Sequence, residues 1–131
     1  MRDEIKNIIV KTHDFLINSR LTLAVAESCT GGLISSFLTD IEGASGFFKG
    51  GIVCYWTESK IDVLGIMPET ITLHGAVSSV TAIEMAERVR QLFSADYALS
   101  ITGNLGPTAI EGKAKGLIYI GVSKKGQTKV Q

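Results

Sequence analysis

Residues 21–38, LTLAVAESCTGGLISSFL, constrain the fold of this 131-residue chain more than any other stretch. Its opening apolar run does not alternate with polar positions, so a strand here must be buried on both faces. Two glycines interrupt the run, and Leu33, Ile34, Phe37 and Leu38 then resume at helical spacing until Asp40. A strand covered on both sides that hands directly over to a helix is the building unit of a layered α/β domain.

The remaining segments repeat this alternation. Ile5, Ile8, Ile9, Phe15 and Leu16 form a helical stripe behind Asp3 as a cap. FFKGGIVCYW, rich in aromatic and β-branched residues, predicts a strand with a bulge or close approach at Gly50 and Gly51. ESKIDVL predicts a short helix capped by Thr57 and ended by Gly65, and residues 68–75 a helical turn and loop. Ser78 or Ser79 caps the clearest helix, with Ala82, Ala86, Val89 and Phe93 inside and Glu84 paired with Arg88 outside. DYALSIT and GLIYIGVS read as strands around the loop GNLGPTAIEGKAK, whose Lys113 and Lys115 read as solubilising charges; TKVQ begins a further strand. The pattern predicts one domain over residues 1–131, a layered α/β fold on a mostly parallel or mixed sheet.

Composition narrows the function. Thirteen Lys and Arg residues balance thirteen Asp and Glu, so no net field favours nucleic acid or an anionic membrane surface. No apolar run approaches the roughly 20 residues that span a bilayer. MRDEIKN places acids where a signal peptide is basic and then hydrophobic, which predicts a cytoplasmic protein. In that compartment Cys29 and Cys54 are expected as reduced thiols rather than a disulfide.

Three places carry candidate chemistry. At the first strand-to-helix junction, Thr30, Gly31 and Gly32 would present backbone N–H groups to an anion, or serve only as a cap and a tight turn. Cys29 there is a conceivable nucleophile, but no histidine is close in sequence and a structural cysteine is the favoured reading. The second place holds Ser45, Tyr55 and Lys60. A lysine in the first turn of a helix has its ammonium form disfavoured, and a serine activated by a lysine is an established nucleophile–base pair in which a tyrosine can relay the proton. Taken singly they also read as a loop serine, a strand-end aromatic and a solvated lysine. In the third place, Thr102 and Gly103 leave a buried strand as Ser28 and Gly31 leave theirs, facing one crevice or forming only a turn. Neither nucleotide-binding glycine fingerprint is present, and no Cys/His cluster has metal-ligand spacing.

Taken in order, AESCTGG, TDIEGASGFFKGGIVCYWTESKIDVLGI, HGAVS and ITGNLGP resemble the CinA C-terminal domain family, the nicotinamide-nucleotide amidohydrolases, over about residues 21–122. The resemblance refines the layered fold to a compact three-layer α/β/α sandwich and implies that it needs no cofactor or metal. It further implies hydrolysis of the carboxamide of a small-molecule nucleotide, nicotinamide mononucleotide, to nicotinate mononucleotide and ammonia. Carried over, it makes Ser45, Tyr55 and Lys60 catalytic and puts Ser28 and Thr102 in the pocket; the two strand-exit turns add Thr30, Gly31, Gly32 and Gly103 as expected substrate-binding neighbours. Both Ser28 and Ser45 match the family, and Ser45 is the expected nucleophile. The chain departs from the family in having TGNLGPTAIEGKAKG where TGIAGPGGG is usual. The family pattern also continues past Gln131 with a GDR-like segment, whose arginine serves the site, and a closing helix. This chain is therefore expected to be shortened relative to the family, to expose apolar sheet surface and to form a homo-oligomer. Two functions follow as expectations: a Ser/Lys/Tyr amidohydrolase, or a catalytically silent nucleotide-binding or oligomeric homologue that has lost the arginine.

Overall fold

A computed structural model describes residues 2–107 and 111–131. Along the chain run α1 (Asp3–Ser19), β1 (Leu23–Glu27), α2 (Leu33–Thr39), a 3-10 turn (Ala44–Gly46), β2 (Phe48–Val53) and α3 (Thr57–Asp62). They are followed by α4 (Pro68–His74), α5 (Ser79–Leu92), β3 (Tyr97–Gly103), β4 (Ile118–Lys124) and β5 (Gln127–Val130). The strands form one sheet in the order β2-β1-β3-β4-β5. β1 is parallel to β2 and β3, whereas β4 and β5 pair antiparallel, so the sheet is mixed. TKVQ supplies most of the fifth strand, as its pattern predicts.

Every residue of β1 is buried, because helices pack on both sheet faces. Ala24, Ala26 and Ala98 meet Met85 and Val89 of α5 together with Leu64 and Ile66. Leu23, Val25 and Ile101 meet Ile9 and Leu16 of α1, Leu38 of α2 and Phe47. The alternation of small and large residues along β1 thus matches its two covers. Alanines let α5 lie close to the sheet, where Ser100 Oγ donates to the Ala82 carbonyl at 2.5 Å. On the other side Gly51 is required by proximity, since a Cβ there would lie 2.6 Å from Ser35 Oγ.

Ser78 caps α5, its Oγ accepting from Thr81 N at 3.1 Å. The expected stripe of Ala82, Ala86 and Val89 is buried, with Thr81 and Met85 beside it, and Phe93 packs at the margin of the core. Glu84 lies 3.9 Å from Arg88, and its carboxylate also accepts from Met67 N and Thr70 Oγ1, tying α4 to α5. Thr57 is the first helical residue of α3 rather than its cap; Trp56 precedes it, without a side-chain capping bond.

The register aligns the carboxyl ends of three strands: Glu27 of β1 stands opposite Val53 of β2 and Ile101 of β3. The next residues along each strand, Ser28, Cys54 and Thr102, therefore emerge at one end of the sheet. In an open parallel arrangement that end is where a crevice forms.

Candidate active site

Ser28 is buried just past β1, and its N–H donates to the Ile101 carbonyl at 3.0 Å, continuing the β1–β3 ladder. Its hydroxyl oxygen accepts from Lys60 Nζ at 2.9 Å. The lysine reaches it from α3 with only 2 % of its surface exposed, and also donates to the carbonyls of Cys54 (2.9 Å) and Tyr55 (3.4 Å). Burial pushes the Lys60 pKa below the ordinary lysine value, while negative charge on Cys54, Cys29 or Glu111 works against the shift. Lys60 sits in the last turn of α3, not the first as expected, so burial rather than a helix N-terminus lowers its pKa. A hydroxyl held against an amine of reduced basicity is the geometry of an activated nucleophile.

A pocket of about 480 Å³ opens over this pair. Thr102 and Gly103 line it together with Ser28 and Lys60, and Thr102 Oγ1 donates to the Ala76 carbonyl at 2.8 Å. Tyr55 and Trp56 stand at its rim, 68 % and 73 % exposed. Tyr55 meets Lys60 through its backbone carbonyl. Glu58 and Glu111 are the acidic lining residues. Cys29 lines the pocket too, but burial, countered in part by the N–H groups of Cys29 and Thr30, pushes its thiol pKa up, which does not favour a thiolate nucleophile.

The structure does not bring Ser45 to this pocket. Ser45 is exposed in the 3-10 turn that enters β2, whereas Tyr55 lies past the other end of that strand. Six strand residues at about 3.3 Å each separate the two by about 20 Å. Of the N–H groups expected to meet an anion at Thr30, Gly31 and Gly32, that of Gly31 donates to the Ser28 carbonyl at 3.1 Å, and the N–H groups further into the start of α2 are taken by the chain itself. Glu27 is fully buried and its carboxylate accepts from Ile34 N and Ser35 N, both at 2.9 Å, at the start of α2. Thr30 Oγ1 (2.7 Å) and Ser35 Oγ (2.6 Å) donate to it as well. Burial alone would raise the Glu27 pKa, but the bonds from Ser35, Thr30 and Ile34 outweigh it and hold the carboxyl below its usual value. An acid closing an apolar strand just before a helix was the available signal for this cap.

Sequence reasoning also missed Trp56, Glu58 and Glu111, and it read Lys113 as a solubilising charge although its Nζ donates to the Val77 carbonyl at 2.7 Å. Among the described residues, no group of three or more His, Cys, Asp or Glu side chains is arranged to hold a metal, and no helix is long and apolar enough to cross a membrane.

A family model described as the CinA C-terminal domain matches residues 5–131. A CinA-like protein of Shewanella pealeana is 44 % identical over 122 residues, covering 92 % of this chain and 29 % of that protein. A putative competence-damage inducible protein of Acetivibrio thermocellus is 49 % identical over 117 residues, 88 % of this chain and 28 % of its own length. The chain thus spans under a third of these curated relatives. Among solved structures, a CinA superfamily protein from Escherichia coli superposes with a TM-score of 0.95 at 31 % identity, over all of this chain and 78 % of that one. A competence/damage inducible protein from Agrobacterium tumefaciens gives 0.95 at 33 % identity, over all of this chain and 81 % of that one.

Proposed function

The chain belongs to the CinA C-terminal domain family, and from that membership we propose that it hydrolyses the carboxamide of nicotinamide mononucleotide, with Ser28 as nucleophile and Lys60 as base. The observation that carries this reading is the 2.9 Å hydrogen bond between a buried lysine and a buried serine that line a pocket.

In the neutral form that burial favours, Lys60 takes the Ser28 proton as Oγ bonds to the carboxamide carbon. The backbone N–H groups of Cys29 and Thr30, just after the nucleophile, are the donors we assign to the resulting oxyanion. Lys60 then returns the proton to the amide nitrogen, the C–N bond breaks and ammonia leaves an acyl-serine. A water deprotonated by Lys60 attacks the ester, and protonated Lys60 restores the Ser28 hydroxyl as nicotinate mononucleotide departs. The tyrosine expected as a proton relay is assigned instead to the rim, where its ring can stack on the substrate. With Lys60 neutral, the charged lining consists of Glu58 and Glu111 beside the aromatic rings of Tyr55 and Trp56. Such a lining suits a cationic pyridinium ring.

The test is ammonia release from nicotinamide mononucleotide by the parent chain, Ser28→Ala and Ser45→Ala. Turnover in the parent and Ser45→Ala but not in Ser28→Ala is expected. Binding without turnover in the parent would favour the silent homologue, and an inactive Ser45→Ala with an active Ser28→Ala would return the nucleophile to Ser45.

A further inference from the structure

Neither the nucleophile nor its base explains why the β3–β4 loop reaches across to the short segment 74–77 ahead of α5. Glu111 Oε2 accepts from Ala76 N at 2.9 Å and its Oε1 from Val77 N at 3.0 Å. Lys113 Nζ donates to the carbonyls of Val77 (2.7 Å) and His74 (3.3 Å). A carboxylate thus holds the donors, and an ammonium the acceptors, of the same few peptide groups. Both are charge-assisted bonds, stronger than neutral ones.

The other polar groups of the segment are held as well. The Gly75 carbonyl accepts from Ser78 Oγ (3.1 Å) and Thr81 Oγ1 (2.7 Å), and Gly75 N donates to Ile71 O (2.8 Å). The Ala76 carbonyl accepts from Thr102 Oγ1 (2.8 Å). Gly75 has φ +86°, and a Cβ there would lie 2.7 Å from Glu111 Oε1, so glycine both permits the turn and admits the carboxylate. Glu111 itself has φ 55°, a conformation that a residue with a side chain keeps where its surroundings fix it. The segment is irregular backbone with its peptide groups pinned from elsewhere, and Ala76, Val77 and Glu111 line the pocket that contains Ser28 and Lys60.

We propose that Glu111 and Lys113 form a two-pronged clip that fixes this wall, so that a substrate carboxamide is held against Ser28 Oγ. They are positioning residues, and the inference rests on the amidohydrolase reading above. The clip needs both charges: with Gly112 between them at φ +72°, the two side chains reach one target, one taking N–H groups and the other carbonyls. Neither can replace the other.

The test compares kcat, KM and melting temperature for ammonia release from nicotinamide mononucleotide in Glu111→Gln, Lys113→Met, Lys113→Arg and the E111Q/K113M double variant. Loss of positioning is expected to lower kcat about tenfold or more in E111Q and K113M while KM changes less. The double variant should be little worse than either single one, because the prongs act on one segment. Lys113→Arg should recover most of the activity, and melting temperatures should stay near the parent. Parent-like kcat in the single variants, or a loss that tracks a fall in melting temperature and is not rescued by arginine, would overturn the clip. A second readout is independent of substrate: labelling of Ser28 by phenylmethylsulfonyl fluoride, in which Oγ bonds sulfur and fluoride leaves. If the parent releases no ammonia, the amidohydrolase reading falls. The clip then stands if K113M, whose charge does not act on Lys60, slows labelling about tenfold, as loss of the fixed pocket wall requires, and falls if the labelling rate is unchanged.

Discussion

Two opposed effects act on the Lys60 amine. Burial disfavours its ammonium form, whereas the carbonyls of Cys54 and Tyr55 accept from it and favour that form; the net pKa lies below the ordinary lysine value. The groups whose charge acts on it are Cys54, Cys29 and Glu111. Burial raises both thiol pKa values, so both cysteines stay protonated through neutral pH and Glu111 is left as the effective anion. If neutral Lys60 is the base, kcat/KM must rise with pH through its lowered pKa. Glu111→Gln removes a carboxylate that raises that pKa, so the midpoint of the rise should move to lower pH, whatever happens to the plateau. A pH–rate profile of parent and variant checks this, and a midpoint unmoved or moved upward contradicts the assignment. At this scale residue types were legible but proximity was not. The apolar runs already put Ser28 after one strand and Ser45 before another, but nothing local says whether those two points lie at the same end of the sheet. Their separation follows from β1 and β2 running parallel, a non-local fact.

Among the elements, the turn from β1 into α2 depends on one carboxylate. Glu27 satisfies Ile34 N and Ser35 N at the start of a seven-residue helix too short to be stable on its own packing-free merits. Its pKa is lower in the folded chain than its ordinary value, so the folded state binds fewer protons. The stabilisation is therefore complete above the unfolded carboxyl pKa and is lost as pH falls through the folded one. Glu27→Gln should cost about 1–3 kcal/mol at neutral pH, because an amide cannot accept from all its donors. In acid the gap between parent and variant should narrow. Urea unfolding at neutral pH and in acid measures both, and a gap that widened in acid would contradict the linkage. The elements themselves were readable where periodicity is strong: α5 by its stripe of Ala82, Ala86 and Val89, and β1 by an unbroken apolar run. The cap at the start of α2 was not legible, because a helix N-terminus attracts any anion and the carboxylate that takes Ile34 N and Ser35 N stands seven and eight residues before them in sequence.

For the molecule as a whole, the two sheet faces are unequally covered. α5 spans one of them, while on the other α1 and α2 leave β4 uncovered: Ile118, Ile120 and Val122 are 37 %, 44 % and 43 % exposed. Val122 stands opposite Leu99 of β3, and an apolar cleft of about 420 Å³ lies between this strip and α1, lined by Phe15, Leu16, Leu23, Leu99 and Val122. Full burial of each large apolar side chain is worth about 1.5–3 kcal/mol. Ile118, Ile120, Val122 and the half-exposed Phe15 are each only partly exposed, so burying what remains of them in both copies of a symmetric contact is worth roughly 5–11 kcal/mol, which brackets the roughly 8 kcal/mol of a micromolar complex before the cost of association is subtracted. A two-fold axis would lay this strip against its own copy, since a symmetric contact uses the same patch twice. Self-association is therefore expected at micromolar concentrations and above, and sedimentation velocity over a dilution series reads it directly. Val122→Lys puts a charge in the centre of the strip and should weaken the assembly at least about tenfold, the equivalent of roughly 1.4 kcal/mol. Because Val122 does not line the catalytic pocket, the dissociated variant should retain the parent's turnover. A parent chain that sediments as a monomer across that range, or a V122K chain that associates as tightly as the parent, would show that this face is not the one that pairs.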